Sequence, residues 1–247
     1  MRDLTEPASR RPPRWVWPRT AATVLVAAAV VVSTAWGVDR WRDDSVAGAP
    51  DRSAVVQLPR LVPSPGVLVR SRVRADASLR VTQWIRPGSV LLSELTLRVL
   101  PAPGDGPPAA IELRDLRIRA DARVLAEPVA ELVSGQRVAV PFYGYVRAIR
   151  LDYVLEGAVI RSESSAPGRG LARLNLVQVA GPGTDQTHVF ETRVLERRGG
   201  SVLSMACGDV TGVLQSCGRG VARGWQTSVH GSATARPVVS VVDLPSA

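Results

Sequence analysis

Beyond residue 53 the apolar and polar positions of the chain alternate with a period of two. Gly66–Val73 puts Val67, Val69 and Val73 on one face and Arg70 and Arg72 on the other. Residues 89–100 set Leu91, Leu95, Leu97 and Val99 against Glu94, Thr96 and Arg98. Residues 136–149 set Val138, Val140, Phe142 and Val146 against Arg137, Tyr143, Tyr145 and Arg147. Successive side chains of a strand point to opposite sides, so this alternation predicts antiparallel strands with one wet face. Within Ile111–Ala120 the parity slips between Leu113 and Leu116, which predicts a bulge or a break near Asp115.

Turn signals punctuate these runs, among them Arg86-Pro87-Gly88, residues 101–108, Ser134-Gly135 and Gly181-Pro182-Gly183. Many short strands at such spacing predict an antiparallel, immunoglobulin-like β-sandwich. Only Glu127–Val133 offers a turn or two of helix. About eight strand candidates fall in residues 53–163, which are expected to form one sandwich domain. The polar stretch Ser162–Gly170 is the best internal boundary. Residues 164–247 hold five or six further candidates, as a second small β subdomain or an extension of the first.

Residues 20–38 break the pattern with 19 positions free of charge. A helix of that length reaches roughly 28 Å, close to the thickness of a bilayer's hydrocarbon core. Five Arg and two acidic residues precede the run, whereas Asp39, Arg40, Arg42, Asp43 and Asp44 follow it. The excess of Arg on the N-terminal side predicts a single-pass transmembrane helix at 20–38 and a cytoplasmic tail at 1–19. A linker is expected at 39–52, with everything beyond it outside the membrane. The tail is too short for a folded domain. Trp15, Trp17, Trp36 and Trp41 stand at the two ends of the span, where membrane-interface aromatics are found. The alternative is a cleaved signal peptide cut near Ala35, giving a secreted protein. The length of the apolar run and the bulky Trp36 after the cut site argue for retention.

Composition removes several chemistries. All 31 basic residues are Arg. Without Lys there is no P-loop lysine, Schiff-base lysine or kinase-type lysine. His188 and His230 are the only histidines, which leaves little for a metal site or a histidine acid–base pair. The two cysteines, Cys207 and Cys217, lie on the predicted outer side with nine residues between them, an arrangement that predicts a disulfide across adjacent strands or a loop. Together with the histidines they match no compact zinc motif.

The stretch VLQSC ending at Cys217 departs from the Thr-Leu-x-Thr-Cys strand of sortases at nearly every position. Ser232 stands where the His-Gly-Cys signature of L,D-transpeptidases has its nucleophile. Nucleophile-elbow, zincin and dinucleotide-binding signatures are missing. The sequence therefore predicts a protein without catalytic residues, cofactor or metal.

Residues 39–247 hold 26 Arg and 20 acidic residues, a net +6. Arg alternates with Asp and Glu along the strands, which predicts solvated faces with cross-strand ion pairs. Few aromatics are present for base stacking, so nucleic acid is not an expected partner. One aromatic cluster, residues 142–145, places Tyr143 and Tyr145 on the face of Arg137 and Arg147, with Phe142 pointing inward. These four residues are the candidate partner-binding set, because such side chains supply large amphipathic contacts. Pro141 beside them predicts an edge strand. The reading that results is a cell-envelope interaction or scaffold protein, with a cell-wall glycan-binding module as the alternative and an envelope enzyme as the third. Its expected partners are the lipid bilayer and another envelope or membrane protein, with cell-wall glycan as the alternative ligand.

Overall fold

The computed structural model describes residues 55–244, apart from short stretches at 89–91, 93, 102–109, 142–144, 162–167, 181–185, 195–199, 209–212, 223 and 232–235. The tail, span and linker, with Trp15, Trp17, Trp36 and Trp41, lie outside the described residues, as does Tyr143. Among the described residues no helix is long and apolar enough to cross a membrane, and every regular element is a strand.

The described strands form three sheets. The largest runs in the order β14 (Arg219–Val221), β15 (Gly224–His230), β11 (Thr187–Val194), β1 (Gly66–Val73), β2 (Leu79–Arg86), β7 (Ile149–Glu156), β4 (Glu112–Ala120) and β5 (Arg123–Val133). A three-stranded sheet runs β10 (Val177–Ala180), β3 (Glu94–Val99), β6 (Arg137–Pro141). A five-stranded sheet runs β13 (Leu214–Ser216), β12 (Ser201–Gly208), β16 (Val238–Asp243), β9 (Arg169–Arg173), β8 (Val159–Arg161). Strands from both sides of residues 162–167 share the largest sheet, through β1 and β11, and the five-stranded sheet, through β8 and β9.

The alternation of β1 and β3 appears as expected. Val67, Val69 and Val73 are buried on one face of β1, and Leu95, Leu97 and Val99 are fully buried on β3. These join Ile118, Leu151 and Phe190 of the largest sheet and Ala172, Met205 and Val242 of the five-stranded sheet in one core. The two smaller sheets thus pack on one face of the largest, its inner face. Burying a Leu or Phe side chain fully contributes about 1.5–3 kcal/mol, so this face carries most of the driving force for folding.

The opposite, outer face carries a second cluster. Leu68 of β1, Trp84 of β2 and Val189 of β11 pack with Ala148 under Val56 and Val62. The segment 55–62 therefore lies across one end of that face before the chain turns into β1 at Gly66. A Cβ on Gly66 would stand 2.6 Å from the carbonyl oxygen of Thr187 and from Pro63, so only glycine lets the chain enter the sheet there.

Asp115 adopts φ 55°, and the register between β4 and β7 shifts between Arg114 and Arg117. This is the bulge that the parity slip predicts. Three expectations are corrected. Glu127–Val133 is no helix but the second half of β5, an edge strand, a position where a strand can carry proline. Residues 136–149 are not one strand, since β6 ends at Pro141 and β7 starts at Ile149. The sheets are not antiparallel throughout either, because β1 and β11 run parallel. More than a hundred residues separate these two strands, so no hairpin dictates their relative direction.

Candidate functional site

The structure places the predicted binding residues in two locations. Arg137 begins β6, opposite Arg98 of β3, in the three-stranded sheet. Tyr145 and Arg147 lie beyond the other end of β6, in the connection to β7. Four residues of strand, roughly 13 Å, separate Arg137 from that end. As Pro141 predicts, β6 is an edge strand, at the end of its sheet.

Tyr145 and Arg147 line an open cleft of about 740 Å³ together with Leu58, Pro65, Arg86, Pro87 and Val146. Tyr145 is 76% exposed, so its ring is not part of the core. Arg86 closes β2, so the strand ends at the start of the Arg86-Pro87-Gly88 signal. Two guanidinium groups, an aromatic ring and several apolar side chains thus border one cleft, and none of its lining residues is an acid.

Asp121 holds the backbone at Arg147, on one side of this cleft. It occupies the β4–β5 turn in the left-handed region, φ 49°, which Asp tolerates better than most residues. Its carbonyl oxygen accepts from the Val56 N–H at 2.8 Å, and its own N–H donates to the Ala148 carbonyl at 2.8 Å. Its carboxylate accepts from the backbone N–H of Arg147 at 3.2 Å and of Ala148 at 3.0 Å. One residue therefore ties the overlying segment 55–62 and the 145–148 connection to the same sheet end. Sequence reasoning missed Asp121 and Arg86. A polar residue in a tight turn signals only the turn, not the two distant backbone segments that it joins.

The histidines sit on opposite faces of the sheet. His188 of β11 is largely buried, its ring stacked 6.4 Å from that of Phe190. Burial lowers its pKa to about 4 and keeps it neutral. His230 of β15 is exposed, with Nδ1 2.9 Å from the Thr187 hydroxyl. They cannot share a substrate. Among the described residues no group of three His, Cys, Asp or Glu is placed to hold a metal ion.

Cys207 and Cys217 form the disulfide. It joins β12 to the chain just past β13, which pairs with β12, so it staples neighbouring strands. Thr227 of β15 donates its hydroxyl to the Cys217 carbonyl at 2.9 Å, tying the bridge to the largest sheet. Closing a loop this short stabilises by about 2–3 kcal/mol in the chain-entropy picture.

No protein-family model matches the chain, and no curated protein matches it. Among solved structures it is similar to a substrate-bound M1 zinc metallopeptidase variant from Deinococcus radiodurans, at 11% identity and a TM-score of 0.36. That similarity covers 72% of this chain and 41% of the metallopeptidase.

Proposed function

We propose that this is a non-catalytic interaction protein of the cell envelope. In this reading residues 20–38 anchor it in the membrane with the N-terminus in the cytoplasm, and an immunoglobulin-like β region is displayed outside to hold a partner protein. The observation that carries the reading is the cleft. Tyr145, Arg86 and Arg147 converge there beside Leu58, Pro65 and Pro87 with no acid among the lining residues. An exposed tyrosine with flanking arginines offers an amphipathic surface rather than acid–base or nucleophilic chemistry. Its charge suits a segment that presents carboxylates, which arginine grips through paired hydrogen bonds.

The test is capture from native membranes with the full chain as bait, beside Tyr145→Ala/Arg147→Ala and Arg137→Ala chains. A partner protein retained by wild type and by Arg137→Ala, but lost from the double variant, is the expected result. Recovery of wall glycan alone would replace the protein partner with a polysaccharide. Equal recovery by all three chains would remove the cleft from the account.

A further inference from the structure

The three-stranded sheet ends, at β6, in backbone groups that no strand takes up. The Leu100 N–H donates to the Leu176 carbonyl at 2.8 Å, and the Val99 N–H donates to the Gln136 carbonyl at 3.2 Å. Bonded and non-bonded pairs alternate along an antiparallel ladder. Arg98 is therefore bonded through its backbone to Gln178 of β10, whereas Arg98 and Arg137 face one another as a non-bonded pair. The N–H and C=O groups of Arg137 and Ala139 then point away from β3, to the free edge. No strand among the described residues pairs with that edge, and Arg137, Ala139 and Pro141 are all exposed along it.

The side chains of the same pair lack a countercharge. Arg98 and Arg137 stand opposite one another on the outward side of the sheet, whose inward side carries Leu95, Leu97 and Val140 into the core. In a non-bonded pair the strands approach most closely, roughly 4.5 Å between Cα atoms, and like charges so placed destabilise a sheet. No carboxylate of the described residues pairs with either guanidinium, and Arg98 Nε is buried without a hydrogen-bond partner. Glu94, the acid on that side of β3, lies four residues from Arg98, roughly 13 Å along the strand. Its carboxylate accepts instead from the Thr96 hydroxyl at 2.9 Å.

From this arrangement we infer that the free edge of β6 takes up an extended acidic segment of a partner protein as an added strand. The segment's backbone bonds to Arg137 and Ala139, the usual source of affinity in strand addition. A Glu or Asp opposite Arg137 falls in the row of Arg98 and Arg137 and supplies the missing countercharge through charge-assisted hydrogen bonds. The next residue of the segment turns inward beside Val138, which is only partly buried, so it is apolar. Pro141 has no N–H to offer, which keeps the pairing short. A second copy of this chain is a poor occupant, because β6 brings arginine and no acid. The edge is a second site, independent of the cleft at Tyr145 and Arg147, which lies beyond the other end of β6.

The experiment uses the full chain in mild detergent. Its probe is a short fluorescent peptide that alternates valine with threonine around one central glutamate, followed by polarisation. Wild type is expected to bind it, and to bind the glutamine version of the peptide about tenfold more weakly. Arg98→Gln/Arg137→Gln should weaken the glutamate peptide by about the same factor and leave the glutamine peptide unchanged. A peptide methylated at every second amide nitrogen, the glutamate included, cannot form the ladder and is expected not to bind. Ala139→Pro removes an edge N–H that the sheet does not use and should likewise abolish binding. If that variant fails to fold, the methylated peptide tests the same bonds on the wild-type chain. Tyr145→Ala/Arg147→Ala, in the cleft, should bind the peptide as wild type does, so loss of the cleft reading leaves this one standing. Undiminished binding of the methylated peptide would overturn the added strand, as would no binding by wild type at millimolar peptide. Equal weakening by the cleft variant and the Arg98/Arg137 variant would overturn it too, reducing the effect to net charge.

Discussion

The two faces of the eight-stranded sheet are made by the same strands and the same alternation, yet they obey different physics. On the inner face Leu116, Ile118, Leu151 and Phe190 are all but fully buried, and each contributes through close packing and exclusion of water. On the outer face the arginines remain partly solvated, and their neighbours are frequently other arginines. The inner face is explained by stability alone. The outer face combines ion pairs, such as Glu191 with Arg70 and Arg193, with cross-strand neighbours of like charge, such as Arg80 beside Arg72.

Substitutions on the two faces should therefore separate in size and in sign. Leu151→Ala, in the middle of central strand β7, is expected to lose about 3 kcal/mol in urea unfolding, because it leaves a cavity where nothing can collapse freely. A loss below about 1 kcal/mol would mean that the smaller sheets do not pack there. Glu191→Gln is expected to lose about 2–3 kcal/mol in the same measurement. It keeps the shape of Glu191, a buried acid of the outer face, but removes the carboxylate that pairs with Arg193 and with Arg70, whose side chain is 10% exposed.

His188 probes the largest sheet through pH. Its folded pKa of about 4 lies below the unfolded value near 6.5. Between these values the unfolded chain holds the extra proton, so stability present above pH 6.5 is lost as pH falls toward 4. The expected loss from this group is about 2 kcal/mol, allowing for its residual exposure, and His188→Phe should flatten that part of the profile. An unchanged profile in the variant would place the acid sensitivity elsewhere.

Much of the inner face was legible in the sequence, because a period of two states directly which residues turn inward, as for Leu95, Leu97 and Val99. The bulge at Asp115 was legible for the same reason. Pairing across strands was not. Nothing local tells that Arg72 stands opposite Arg80 and Arg193, since the partners lie 8 and 121 residues away and register is a property of the assembled sheet. The candidate site was legible in part. The sequence pointed to Tyr145 and Arg147 but joined Arg137 to them by extending β6 through a stretch where the strand ends. Asp121, Arg86 and the covering segment 55–62 contribute through tertiary packing, which alternation does not encode.

The most direct test of the contrast between the faces is the melting temperature of Arg80→Gln, which removes the exposed neighbour of Arg72, against wild type at 20 mM and 500 mM salt. Relief of cross-strand repulsion predicts a rise at low salt of about 1–3 °C, corresponding to several tenths of a kcal/mol. That difference should largely disappear at 500 mM, where exposed charges are screened. A lower melting temperature at both salt concentrations would show that Arg80 stabilises the sheet, and would contradict the claim that like-charged neighbours on the outer face cost stability.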